Sequence, residues 1–332
     1  MRVLILGGTV FLSAALTRLA LERGHQVTCL ARGADHEPPA GARFVRADRD
    51  QGTPAYDGVV EDWDAVLDVS RQPRHVREAL AALAERASHW TFVSTASVYA
   101  HFDDPVGMDE TAELLPAFEG DGPSTPETYG EAKVACEQAC LESLGDRLHI
   151  SRAGLIAGYE DLSDRFGYWP ARFARTGSDP VLVPDARSDR TQVIGVADLA
   201  RWLLDVAERG VSGTFNAVGD AVALGEVVDL AAQVAGSEAE QVVVDGEWLA
   251  EAGVEYWAGP ESLPLWLPPT YTGFGARSNA AAVAAGLQLS PPADLMTECL
   301  DWERELGLDR ERRAGLSSAR EAELLTSWAQ RG

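Results

Sequence analysis

Short runs of Val, Ile and Leu recur along the first half of the chain, spaced so that one helix fits between most neighbours. Residues 3–6, 27–30, 43–45, 65–69, 90–94 and 149–152 read as strands, most of them rich in Val, Ile and Leu. Continuous apolar runs belong to parallel sheets covered on both faces. Residues 12–23, 75–87 and 131–144 carry apolar positions at helical spacing, and Gly24 ends the first of these helices. The pattern predicts an α/β protein with a doubly wound parallel sheet. From about Asp161 the rhythm loosens into aromatic and proline-rich segments such as Phe166-Gly167-Tyr168-Trp169-Pro170. We therefore expect an α/β domain over residues 1–160 and a smaller C-terminal lobe over 161–332. Strand-like segments at 193–196 and 214–217 are expected to rejoin the sheet from within that second part. The charged end, residues 301–331, reads as a solvated helix pair.

Composition narrows the classes. The chain has 332 residues, 46% hydrophobic and 24% charged, enough for one large or two modest domains. No run approaches the eighteen apolar residues of a membrane span, and the apolar start meets Gly7-Gly8 too early for a signal peptide. A cytoplasmic protein with no membrane partner is expected. Cys29, Cys136, Cys140 and Cys299 show neither CxxC nor histidine-rich spacing, so no disulfide framework and no metal site are expected. The formal charge of −24 repels phosphate backbones, which argues against a nucleic-acid partner.

Lysine occurs once, at Lys133, beside 27 arginines. In a composition so biased, a single survivor points to a place where a forked guanidinium cannot replace a compact ammonium. Tyr129 precedes it by four residues, one turn of a helix, so the phenol and the ammonium share a face. A free phenol, with a pKa of about 10, is a poor acid or base near neutrality unless a cation stabilises its phenolate. Thr95, at the end of the strand 90–94, would hydrogen-bond a substrate oxygen beside Tyr129. Gly7-Gly8-Thr9-Val10-Phe11-Leu12 lies at the first strand-to-helix turn, where glycine lets a pyrophosphate approach the backbone at a helix N-terminus. Strand two ends Leu30-Ala31-Arg32, with an arginine and no acid, which favours NADP over NAD. Asp48 is a candidate for the adenine amino group.

These motifs resemble the short-chain dehydrogenase/reductase superfamily in its extended form, typified by nucleotide-sugar epimerases and dehydratases, from Met1 to about Ala200. The glycine loop is similar to that of an actinobacterial branch called NAD-dependent epimerase/dehydratase. The resemblance implies a Rossmann domain with seven parallel strands, a nicotinamide dinucleotide, and Thr95, Tyr129 and Lys133 as the catalytic triad. The implied cofactor-binding set runs through Gly7, Gly8, Thr9, Val10, Phe11, Leu12, Arg32, Asp48, Arg49, Val69, Ser70, Ser94, Tyr129, Lys133, Ala153 and Leu155. Relatives often dimerise through the helix that carries the Tyr and Lys, and Val134, Ala135 and Cys136 would allow a homodimer here.

Departures shape the expected reaction. Ala96 and Ser97 follow Thr95 where dehydratases and decarboxylases carry acids. Leu155 stands in the region where nucleotide-sugar enzymes place an Asn on the diphosphate. Arg190 and Asp198 sit one residue off the spacing of a second diphosphate site. The expected activity is an NADP-dependent oxidoreductase acting on a small hydroxylated or sugar-like carbonyl, with a sugar epimerase as the alternative and a non-catalytic dinucleotide-binding protein as the third. Arg165, Arg172 and Arg175 recur at helical spacing and either face an anionic substrate or lie on an exposed helix. Trp248, Trp257 and Trp266 either line a pocket or pack in the core.

Overall fold

In the computed structural model, which describes residues 1–33, 36–120, 122–175 and 179–331, the apolar runs become parallel strands. These are β1 (Arg2–Leu6), β2 (Gln26–Ala31), β3 (Arg43–Arg46), β4 (Ala65–Asp68), β5 (Trp90–Thr95) and β6 (Leu148–Ala153). With Gly213–Ala217 they form one seven-stranded sheet in the order Gly213–Ala217, β6, β5, β4, β1, β2, β3. Along β1, Val3 and Ile5 enter the core on one face while Leu4 and Leu6 enter the core on the other. Burying both faces in this way contributes about 1.5–3 kcal/mol for each large aliphatic side chain relative to leaving it in water. It also explains why β1 is apolar at every position after Arg2.

Helix α1 (Phe11–Glu22) packs with the helix Val196–Arg209 over one face, and α2 (Pro73–Leu83) packs with α3 (Tyr129–Leu144) over the other. Chain order reverses between β1 and β4, and the carboxyl ends of strands on either side of such a switch leave a crevice. The sheet is a Rossmann-type doubly wound sheet.

A buried ion pair fixes α3 in place. Arg152 on β6 donates to Glu137 on α3 through Nε (3.1 Å) and Nη2 (2.8 Å), and Arg152 also donates to the Tyr99 hydroxyl at 3.2 Å. Tyr99 in turn donates to Asn216 at 2.5 Å, so α3, β6 and the edge strand share one hydrogen-bonded network. Tyr129, Lys133 and Glu137 are four apart, so the pair that anchors Glu137 also sets the rotation of the face bearing the tyrosine and lysine.

Several expectations need correction. The strand at Val193–Gly195 does not rejoin the sheet; it pairs in parallel with Leu155–Ala157, beyond Gly154, where the chain has left β6. The terminal helices Pro292–Leu306 and Ser318–Ala329 are not simply solvated, because each buries a glutamate. Glu303 takes Arg310 at 2.9 Å and Arg312 at 2.6 Å, and Glu321 takes Arg172 and the Leu182 amide, the latter at 2.9 Å. Arg172 is thereby spent inside a second apolar core built around Trp169, Phe173, Leu182 and Val228. Val134, Ala135 and Cys136 are covered by the chain itself and offer no surface to a second copy. Among the described residues no helix is long and apolar enough to cross a membrane.

Candidate active site

At the carboxyl edge of the sheet the chain turns from β1 into α1 through Gly7 and Gly8, both at positive φ (133° and 95°). A Cβ on Gly7 would stand 2.9 Å from the Val69 methyl, and one on Gly8 would overlap the Cys29 sulfur. The turn is thus packed from below, with its backbone facing outward at the start of α1, the arrangement that suits a pyrophosphate. Burial pushes the Cys29 thiol up to about 11, which keeps it a packing group. A groove of about 700 Å³ opens above, lined by Gly7, Thr9, Val10, Asp48, Val69 and Ser70 among others. Arg32, Arg49 and Arg71 are also in its lining, with Asp48 and Asp50.

The arginines of that wall differ in use. Arg49 donates to Ser70 Oγ and lies 3.7 Å from the buried Asp68 carboxylate, so it braces the floor. Arg32 makes no hydrogen bond and no ion pair among the described residues; its charge is felt by Asp50, which is itself paired with His75 at 2.7 Å. Asp48 accepts the Asp50 amide at 3.0 Å and caps a short turn. Phe11 and Leu12 pack into the apolar core under α1, so neither side chain lines the groove. Ser94 is buried as well, and its Oγ has no partner.

Beside this groove lies a cavity of about 240 Å³ that gathers Thr95, Ser97, Tyr129, Ala153 and Leu155. Gly130 makes the meeting of Thr95 and Tyr129 possible, since a Cβ there would overlap the Ser97 carbonyl oxygen, and its absence lets the first turn of α3 press against the end of β5. The Thr95 hydroxyl accepts the Ser97 amide at 3.2 Å and donates to the Ser97 hydroxyl at 3.3 Å. Tyr129 is half-buried, and its hydroxyl makes no hydrogen bond among the described residues. Lys133 is buried one turn on; its ammonium donates to the carbonyl oxygens of Ser70 (2.7 Å) and Val93 (2.6 Å) and sits 4.7 Å from the Phe92 ring centre. Two of its three protons are thus held by the ends of β4 and β5, which leaves one for a ligand.

A family model described as the NAD dependent epimerase/dehydratase family matches residues 3–219, more than half of the chain, a span that includes the groove residues and Thr95, Tyr129 and Lys133. The chain belongs to that family. A curated relative is the chloroplast stem-loop binding protein of 41 kDa b of Arabidopsis thaliana, 27% identical over 242 residues, or 66% of this chain. The match spans 59% of that relative's length. Among solved structures, UDP-N-acetylglucosamine 4-epimerase of Bacillus cereus is similar with a TM-score of 0.65 at 18% identity, covering 95% of this chain and 100% of its own. The Thermus thermophilus UDP-glucose 4-epimerase, in complex with NAD, gives 0.61 at 18% identity over 92% and 99%. At such identities the likeness is one of fold.

In this epimerase/dehydratase family member the cavity also recruits side chains that no local motif announces. Arg165, Thr191, Trp257 and Phe274 line it from segments far along the chain. Of the three arginines at helical spacing only Arg165 reaches it, and of the three tryptophans only Trp257 does, since Trp248 packs on Trp328 and Trp266 on Tyr256. Thr191 and Phe274 carry no signal in the sequence, because their position follows from long-range packing.

Proposed function

We propose that this protein is an NADP-dependent oxidoreductase that moves a hydride to or from a hydroxyl-bearing carbon of a small polyhydroxylated or sugar-like substrate, with Tyr129 as acid and base. The observation that carries this reading is the convergence of Thr95 and Tyr129 on one cavity beside the groove, with Lys133 below the sheet ends that border both. The dinucleotide, when bound, supplies or accepts the hydride. Gly7, Gly8, Thr9 and Val10 would hold its pyrophosphate, Val69 and Ser70 its middle, and Lys133 the nicotinamide ribose through its free proton. Thr95 holds the substrate oxygen, Tyr129 gives that oxygen its proton during reduction, and the ammonium of Lys133 stabilises the phenolate that remains. Residues beyond 160 supply the substrate-facing wall.

The size and lining of the cavity favour a small substrate. About 240 Å³ suits a molecule near the size of one sugar ring, and Leu155 offers no hydrogen bond to a diphosphate. The epimerases among the similar folds support the second reading, in which the hydride returns to the other face of the same carbon. The −24 charge weighs against carrying the stem-loop binding of the Arabidopsis relative over to this chain. Its four cysteines, all buried free thiols, fit a cytoplasmic location.

Arg32 provides the test of cofactor choice. Its guanidinium, unpaired among the described residues, is placed to take a 2′-phosphate, and a charge-assisted hydrogen bond of that kind is worth roughly 1.5–3 kcal/mol, or about ten- to a hundredfold in affinity. Fluorescence titration of the dialysed protein should therefore show NADPH binding at least tenfold tighter than NADH, and Arg32→Ala should erase the difference while leaving NADH unchanged. Equal affinities in the wild type would contradict the NADP assignment. Dinucleotide that survives dialysis would favour the epimerase reading, since an epimerase keeps its cofactor through the cycle.

A further inference from the structure

Resting on the reading above, we propose that the cavity beside Tyr129 is built for a substrate bearing a single carboxylate, held by Arg165. Arg165 is the one charged side chain among the described residues that line this cavity. Its Nε donates to Ser163 Oγ at 3.3 Å, and its guanidinium lies over the Trp257 ring at 5.3 Å from the centre. Neither terminal nitrogen has a hydrogen-bond acceptor, and no carboxylate stands within 4.0 Å, among the described residues. Asp161 is the acid whose field reaches it, but that carboxylate is already bonded to the Ser163 amide (2.7 Å) and hydroxyl (3.0 Å). Burial pulls the Arg165 guanidinium below its ordinary value, partly offset by Asp161 and Tyr129.

An arginine that is partly withdrawn from water without an ion-pair partner is costly to keep, and an anion would offset the cost. This chain carries 52 acidic residues from which a permanent partner could have come, and at Arg165 none is used. The contacts of Nε with Ser163 and of the guanidinium face with Trp257 leave the two terminal nitrogens as a fork, the geometry that grips a carboxylate by two parallel bonds. One positive charge in the lining matches one negative charge on the ligand. A phosphate dianion would call for a second cation, and the cavity lining holds none.

Thr191, whose hydroxyl is buried without a partner among the described residues, belongs to the same lining. Arg165 and Tyr129 line the same cavity, so a carboxylate held by the first would bring a hydroxyl-bearing carbon of the same small molecule toward the phenol. The class indicated is a hydroxy acid or sugar acid.

The test is calorimetric. The NADP-loaded protein is titrated with a panel of aldonates and hexuronates, each beside its neutral primary amide and beside the corresponding sugar phosphate. Expected is a tightest ligand that is a carboxylate, preferred roughly tenfold or more over its amide. In Arg165→Gln the acid should lose that preference while amide binding and NADPH affinity stay unchanged, and Arg165→Lys should restore part of it. The inference is overturned if no acid in the panel outbinds its amide, if a sugar phosphate outbinds every acid, or if Arg165→Gln keeps the acid preference. Failure of the wild type to bind either NADPH or NADH would instead remove the oxidoreductase reading, so the two outcomes are distinct.

Discussion

Tyr129→Phe should lower turnover by about 10²–10⁴-fold while the protein stays folded and keeps its affinity for NADPH. The Tyr129 hydroxyl makes no hydrogen bond among the described residues, so its removal orphans no partner and leaves no buried polar group unsatisfied. The ring remains to pack the wall of the cavity. What disappears is the proton that balances hydride arrival at the carbonyl carbon. Steady-state kinetics on a carbonyl substrate reduced by the wild type, with thermal unfolding alongside, separates the two effects. A folded Tyr129→Phe protein within about threefold of wild-type turnover would show that another group moves the proton.

Substitution of Lys133 should cost both activity and stability, in proportions that depend on the replacement. Its ammonium fills a slot between the Ser70 and Val93 carbonyl oxygens with the Phe92 ring beside it, two short N–H bonds from one atom. The planar guanidinium of Lys133→Arg cannot meet both carbonyls at those distances and still direct a proton at the nicotinamide ribose. Turnover should fall at least tenfold, about 1.4 kcal/mol in the barrier. Lys133→Met should fall further, and it leaves two buried carbonyls without their donor, at about 1–3 kcal/mol each before relief of the buried charge is counted. Kinetics and unfolding of both variants check this. Wild-type turnover in a folded Lys133→Arg protein would mean that the single lysine of the chain is accidental.

Much of the dinucleotide half was legible because its determinants are local. Apolar runs without alternation specify strands buried on both faces, Gly7 and Gly8 mark a turn that only glycine can make at those φ values, and the spacing from Tyr129 to Lys133 is one helical turn. The substrate side was not legible, since its determinants are distances in space between residues remote in sequence. Arg165 and Arg172 look alike in the pattern, yet Arg172 is claimed by Glu321, which lies 149 positions later, while Arg165 is left facing the cavity. The same holds for Val134, Ala135 and Cys136, whose apolar character is equally consistent with a core and with an interface. The packing of α3 against the sheet and its loops buries them within the chain.

On the proposed reading the groove and the cavity are two parts of one site, the first holding a dinucleotide and the second presenting a substrate carbon to it. A crystal structure of the protein soaked with NADP+ tests this most directly. The account predicts a pyrophosphate over Gly7 and Gly8 at the start of α1, a 2′-phosphate on Arg32, and a nicotinamide ribose on Lys133. The nicotinamide C4 should face the Thr95 and Tyr129 cavity, with room for a substrate carbon at about 3–3.5 Å. A dinucleotide bound elsewhere, or one whose nicotinamide points away from Tyr129, would contradict it.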